Sequence, residues 1–183
     1  MKLSIKYYLF FLIIQISALL SKTNFVVSNS SYIIMKVEGP GKNQLFYFQR
    51  NSEYYPNEIY VNGNNQTIIN FTYYLNETEN HIKLVWYNNI NNSNYMFYGC
   101  SHITEIDFSH FDSSQIYSID YMFSGCSVLT SLNFSNFNTS QVSNMKSLFN
   151  NCESLKSLNL SNFNTSKVTT MTNMFAGCSS LVT

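Results

Sequence analysis

From residue 96 onward the apolar positions recur at a fixed interval. Cysteines fall at Cys100, Cys126, Cys152 and Cys178, each 26 residues after the last, inside the words MFYGC, MFSGC, LFNNC and MFAGC. The same register then places Ile103, Leu129, Leu155 and Leu181; Ile106, Leu132 and Leu158; Phe108, Phe134 and Leu160; and Phe111, Phe137 and Phe163. A fixed period of this size marks stacked units, none of which buries its apolar face alone. In SVLTSLNFSNF the residues Leu129, Leu132 and Phe134 give an L-x-x-L-x-L spacing, whose last pair shares one face of a strand. Val142, Met145, Phe149 and Cys152 recur at helical spacing and predict a short outer helix. Gly99, Gly125, Asn151 and Gly177 suit the left-handed close of that helix. Its start is marked by Ser114, Ser140 and Ser166 or by Ser118, Asn144 and Thr170. The expected fold class is an α/β solenoid of leucine-rich type, a strand plus a short helix per unit, with Phe111, Phe137 and Phe163 forming an aromatic ladder.

Upstream, the pattern changes from the long period to short alternating runs: SYIIMKVEG, QLFYFQ, EIYVNG, TIINFTYYL and HIKLVWY. Turn signals at Gly39-Pro40-Gly41 and Asn62-Gly63-Asn64-Asn65 separate them. Ile82, Val85, Ile90, Met96 and Phe97 still match the repeat positions, so the end of this region reads as a degenerate first unit. A β-rich N-terminal cap over the first unit would shield its apolar end. Further upstream, Lys2 and Lys6 precede an apolar run from Tyr7 to Leu20, then small and polar residues. That is the layout of a secretory signal, and the run is short for a membrane span. The organisation expected is a signal peptide at 1–21, a β-rich cap with a degenerate first repeat at 22–95, and the repeat solenoid at 96–183, ending within a unit. No membrane span is expected in the chain once the signal is removed.

Composition adds an exclusion. Ten basic and ten acidic residues balance in a chain that is 45% hydrophobic and 16% aromatic. Loss of Lys2 and Lys6 leaves a charge near minus two, so no basic surface for nucleic acid is indicated. The abundance of Asn, Tyr, Phe and Ile matches AT-rich codons and carries little weight by itself. The four cysteines follow the repeat rather than a bridging pattern, and equivalent side chains on stacked units point in parallel, which disfavours the disulfide dihedral. They read as buried free thiols. One ligand per unit does not make a zinc tetrahedron, and no metal or cofactor is expected. Glu105, Asp107, His110 and Asp112 in EIDFSHFD have no matching carboxylates in later units and read as a solvated face. No catalytic residues are indicated.

The words MFxGCxxLxxLxLSxFxTSxVxxM resemble the BspA-like leucine-rich repeat surface proteins, in their 26-residue subclass, over Met96 to Thr183. The first full unit departs most, with HFDSSQIYSIDYMF in place of NFNTSQVSNM. The resemblance implies an exported or surface-attached protein used in adhesion or recognition, and no catalytic residues. The expected function is non-enzymatic recognition of an extracellular protein or glycan, by a secreted or cell-surface chain. The binding residues would be the outward columns of a concave sheet: Glu105, Ser131, Ser157; Asp107, Asn133, Asn159; and Ser109, Ser135, Ser161. Alternatives are a self-assembling coat or wall component, or the ectodomain fragment of a membrane receptor. Among nine Asn-x-Ser/Thr sequons, Asn65, Asn70 and Asn76 in the cap are the glycosylation candidates.

Overall fold

A computed structural model of the chain describes residues 30–47, 54–68 and 71–182; the signal expected at 1–21 and Asn70 lie outside them. Residues Ser31–Thr183 form one compact unit. Eight strands occur among the described residues: β1 Ser31–Glu38, β2 Gly41–Gln44, β3 Glu58–Val61, β4 Asn64–Gln66, β5 Thr72–Leu75, β6 Glu79–Trp86, β7 Ile103–Asp107 and β8 Ser131–Asn133. Six of them make one sheet in the order β4-β3-β6-β1-β7-β8, and β2 pairs with β5.

Alternation explains the sheet. In β1, Ile33, Met35 and Val37 are buried while Tyr32, Ile34, Lys36 and Glu38 face outward. Residues paired across strands share a face, so one inward row runs Val61, Ile82, Met35, Ile106, Leu132 from β3 to β8, buried at Ile82, Met35 and Ile106 and half-buried at its ends. The β3–β4 turn is Asn62-Gly63, both with positive φ (49° and 79°), as a two-residue hairpin matched to strand twist requires. β1 and β7 pair antiparallel, so the N-terminal strands and the first unit share one sheet.

The units are not α/β. No α-helix occurs among the described residues, and the segment expected to be helical is a ribbon of successive turns. In Ile119–Cys126 the donors divide. The amides of Met122, Ser124 and Cys126 donate to carbonyls three residues earlier, while those of Ile119, Tyr121, Phe123 and Gly125 donate to Asn144, Lys146, Leu148 and Asn150 in the next unit. A helix would use every amide within its own segment; here alternate ones bind the neighbour. The ribbon also contains a left-handed residue in mid-course, at Tyr95, Tyr121, Ser147 and Asn173 (φ 53° to 60°), which breaks any helical run. Gly99, Gly125, Asn151 and Gly177 are left-handed as well, closing turns rather than helices. The strand column is equally short: β8 pairs with β7 in parallel, and residues 155–160 of the next unit form no strand. The expected α/β solenoid is therefore corrected to a β-rich fold, because the inter-unit bonds consume the amides a helix needs.

Stacked rings fill the space between ribbon and strands. Phe97, Phe123, Phe149 and Phe175 lie face to face at 5.9, 5.5 and 5.5 Å. Phe111, Phe137 and Phe163 stack at 6.3 and 6.2 Å. The cysteines are free, and Cys100, Cys126 and Cys152 are buried. The thiols of Cys126, Cys152 and Cys178 donate to the carbonyls of Phe97, Phe123 and Phe149.

The left-handed site offers a direct check. At Gly125 (φ 80°) an added Cβ would come within 3.4 Å of Gly99 Cα, so Gly125→Ala should cost about 1–2 kcal/mol. Gly125→Asn should cost less, since Asn151 holds the equivalent position at φ 57°. Urea denaturation of the two variants measures this, and an Ala variant as stable as the parent would refute the assignment.

Candidate functional site

The outward columns expected from the repeat are placed partly as a sheet. Glu105 pairs with Ser131 and Asp107 with Asn133 across β7 and β8. Ser131, Asn133 and Ser135 are exposed, and Glu105, Asp107 and Ser109 half-buried. Ser157, Asn159 and Ser161 are exposed but lie beyond the last strand.

Several of these side chains already hold the backbone. Asp107 Oδ1 accepts the Ser109 amide at 2.8 Å and Asn133 Nδ2 at 2.9 Å. Asn133 and Asn159 accept the amides of Ser135 and Ser161 at 3.1 and 3.0 Å. These are Asx turns, in which a short side chain mimics a backbone carbonyl. The same device recurs at Asp112, Asn138 and Asn164, which accept the amides of Ser114, Ser140 and Ser166. The sequons of the repeats thus coincide with turn-forming Asn residues. In the cap, Asn65 and Asn76 are exposed.

The larger surface was not visible from the repeat. Strand pairing extends the Asp107–Asn133 row across the whole sheet: Asn65 on β4, Tyr60 on β3, Lys83 on β6, Ile34 on β1, Asp107 on β7 and Asn133 on β8. Ile34 is 39% exposed at its centre, between Lys83 and Asp107. Next to this row, Lys36 Nζ donates to Glu105 Oε1 at 3.0 Å. That hydrogen bond first, then the charges of Glu105 and Glu79, raise the Lys36 amine above its ordinary pKa. Lys83 Nζ sits 4.0 Å from the Tyr32 ring centroid, and His110 stacks on the same ring at 4.5 Å. Glu58 accepts the Tyr60 hydroxyl at 2.8 Å. Its hydrogen bond with Tyr87, then burial, push that phenol up to about 12. Both phenols are therefore fixed as donors to Glu58 at neutral pH.

The face presents both charges and one apolar side chain. Lys36 and Lys83 supply cations, Glu58, Glu105 and Asp107 carboxylates, and Ile34 an apolar anchor. Among the described residues no three His, Cys, Asp or Glu converge as a metal would require, and no helix is long and apolar enough to cross a membrane. One signal for this face was present in the sequence: Ile34 is apolar on the outward phase of an otherwise alternating strand.

A family model described as "Mycoplasma protein of unknown function, DUF285" matches residues 67–183, well over half of the chain. The chain belongs to this family. The DUF285 match takes in β5 and β6 as well as the 26-residue units. It corrects the resemblance to BspA-like leucine-rich repeat proteins: the family found is DUF285, and its units here are strand-and-turn ribbons without the helix that resemblance implied. Comparison with curated proteins and with solved structures gives no match.

Proposed function

We propose that this DUF285 protein is a non-enzymatic, exported or cell-surface recognition protein that binds an extracellular protein or glycan through the outward face of its six-stranded sheet. The observation that carries the reading is the continuous row Asn65, Tyr60, Lys83, Ile34, Asp107, Asn133, which combines an exposed aliphatic centre with both charges on paired strands whose other face packs on the core. Rigid presentation limits the ordering cost of binding. The signal-like layout of the first 21 residues supports export. In a eukaryotic host, Asn65 and Asn76 are exposed glycan acceptors that hold no Asx turn of the repeats, and a glycan on Asn65 would screen the β4 end of the face.

The double variant Ile34→Arg, Ser131→Arg tests the reading, because both side chains point outward and neither carries a side-chain hydrogen bond that holds the fold. Adhesion to cells or extracellular matrix should fall at least about tenfold, as expected for loss of a central anchor. Unchanged adhesion by a folded variant would sink the proposal. A second reading, self-assembly into a coat, is favoured by the uniformity of the outward columns, with Ser131 and Ser157, Asn133 and Asn159, and Ser135 and Ser161 repeating from unit to unit. Sedimentation at rising concentration separates the two, and a strictly monomeric chain rules assembly out.

A further inference from the structure

The turn ribbon carries a cluster of tyrosines that neither the fold nor the sheet face accounts for. Tyr95 and Tyr121 occupy the left-handed position of successive units, at φ 60° and 56°. A non-glycine residue there is uncommon, with Asn much better suited than a bulky aromatic. The later units place smaller residues, Ser147 and Asn173, at the same position. Tyr98 likewise becomes Ser124, Asn150 and Ala176 in later units. The units fold with small polar residues at both positions, so the aromatic rings answer to something else.

Their arrangement is specific. Tyr95 and Tyr121 stack at 4.9 Å with 5° between planes. Tyr98 stands edge-on to both, at 5.5 and 6.4 Å, and is 42% exposed. Tyr47 leans on Tyr98 at 6.0 Å. Packing against that segment accounts for part of the Tyr98 ring and for nothing at Tyr121, whose remaining partner is Lys146 at 5.6 Å. The hydroxyls of Tyr95, Tyr98 and Tyr121 have no hydrogen-bond partner among the described residues. Charge is sparse: Asp120 is buried and takes the Ser118 hydroxyl at 2.7 Å. Among the described residues the exposed apolar surface of this patch is the Tyr98 ring itself, which leaves ring faces rather than an aliphatic pocket for a ligand. It offers an aromatic wall and unspent phenol hydroxyls instead.

We propose that Tyr95, Tyr98 and Tyr121 form a second binding site, on the ribbon rather than the sheet, for a neutral glycan. The C–H faces of a sugar pack on the Tyr98 ring while its hydroxyls exchange hydrogen bonds with the phenols. This site is independent of the sheet face, and its test separates the two.

The repeat itself supplies the substitutions. Tyr95→Ser, Tyr98→Asn and Tyr121→Ser together install the residues of the third unit, which holds the same left-handed position with Ser147. Tyr98→Asn alone is the fallback, being exposed. The probes are cellohexaose, laminarihexaose and mannohexaose, followed by calorimetry and tyrosine fluorescence, with thermal unfolding confirming that each variant is folded. The chain should bind at least one probe. The triple variant should lose at least about tenfold in affinity, and the Ile34→Arg, Ser131→Arg variant should lose nothing. Binding of none of the three probes, or equal binding by parent and folded triple variant, overturns the proposal. So does adhesion to periodate-oxidised cells that still depends on these tyrosines, which would assign the patch to a protein.

Discussion

Phe123→Ala should remove about 3–5 kcal/mol of folding stability, the usual loss for truncating a buried Phe. Phe123 is fully buried, stacks between Phe97 and Phe149, and meets Phe108 and Phe134 edge-on at 5.8 and 5.9 Å. Collapse around the gap is opposed from two sides, because the backbones above and below are tied by Phe97 N–H to Met122 O at 2.9 Å and Phe123 N–H to Leu148 O at 3.0 Å. A domain of this size has about 5–15 kcal/mol in total, so the variant should be partly unfolded at 37 °C. Phe175→Ala deletes the same ring from the same column at a site 41% exposed, and should cost well under half as much. Urea midpoints with unchanged slope give both values. Equal losses for the two would mean that the rings do not form one buried column.

Alkaline pH should unfold the chain through its thiols. Burial pushes Cys100 up from 9.0 to about 12 and raises Cys126 and Cys152 strongly in the same direction. In the unfolded chain these groups ionise near their ordinary value. A raised folded pKa therefore leaves stability intact below about pH 9 and drains it as pH climbs toward the folded value. Each fully buried thiol contributes a slope of about 1.4 kcal/mol per pH unit in that window. Three such groups acting together should carry the midpoint of unfolding steeply downward between about pH 9 and 11. Cys126→Ala should flatten the dependence by one thiol, apart from a constant offset for the lost sulfur. A flat stability profile to pH 11, or identical slopes with and without Cys126, would show that the sulfurs are solvated. The same burial makes the folded thiols poor nucleophiles, since the thiolate is the reactive form. Cys178, only partly buried, should label first.

Legibility in the sequence followed the range of the interactions. The 26-residue register, the left-handed residue before each cysteine and the Phe111–Phe137–Phe163 ladder depend on local or strictly periodic features, and were readable from the words themselves. A helix and a ribbon of three-residue turns are indistinguishable from Val142, Met145, Phe149 and Cys152, whose spacing satisfies both. What distinguishes the two is where alternate amides point, and the decisive left-handed residue is a Tyr at position 121, which no propensity scale would nominate. Asn abundance by itself matches AT-rich codon usage and points to no role. The Asx turns at Asn133, Asn138, Asn159 and Asn164 give those residues a structural role at the corners of each unit. The face of the sheet was half legible: the columns of β7 and β8 followed from alternation, whereas Lys83, Tyr60 and Ile34 join them only through long-range antiparallel pairing. Pairing order is set by tertiary packing, and one sequence does not encode it in any local signal.

Both proposed binding faces rest on one structural claim, that alternate amides of the ribbon bond the next unit and leave no helix between strands. Scalar couplings across hydrogen bonds, measured by NMR on the isotopically labelled chain, test it residue by residue. The account predicts couplings from the amide nitrogens of Tyr121, Phe123 and Gly125 to the carbonyl carbons of Lys146, Leu148 and Asn150. Couplings from those amides to carbonyls four residues earlier would restore the helix and contradict it.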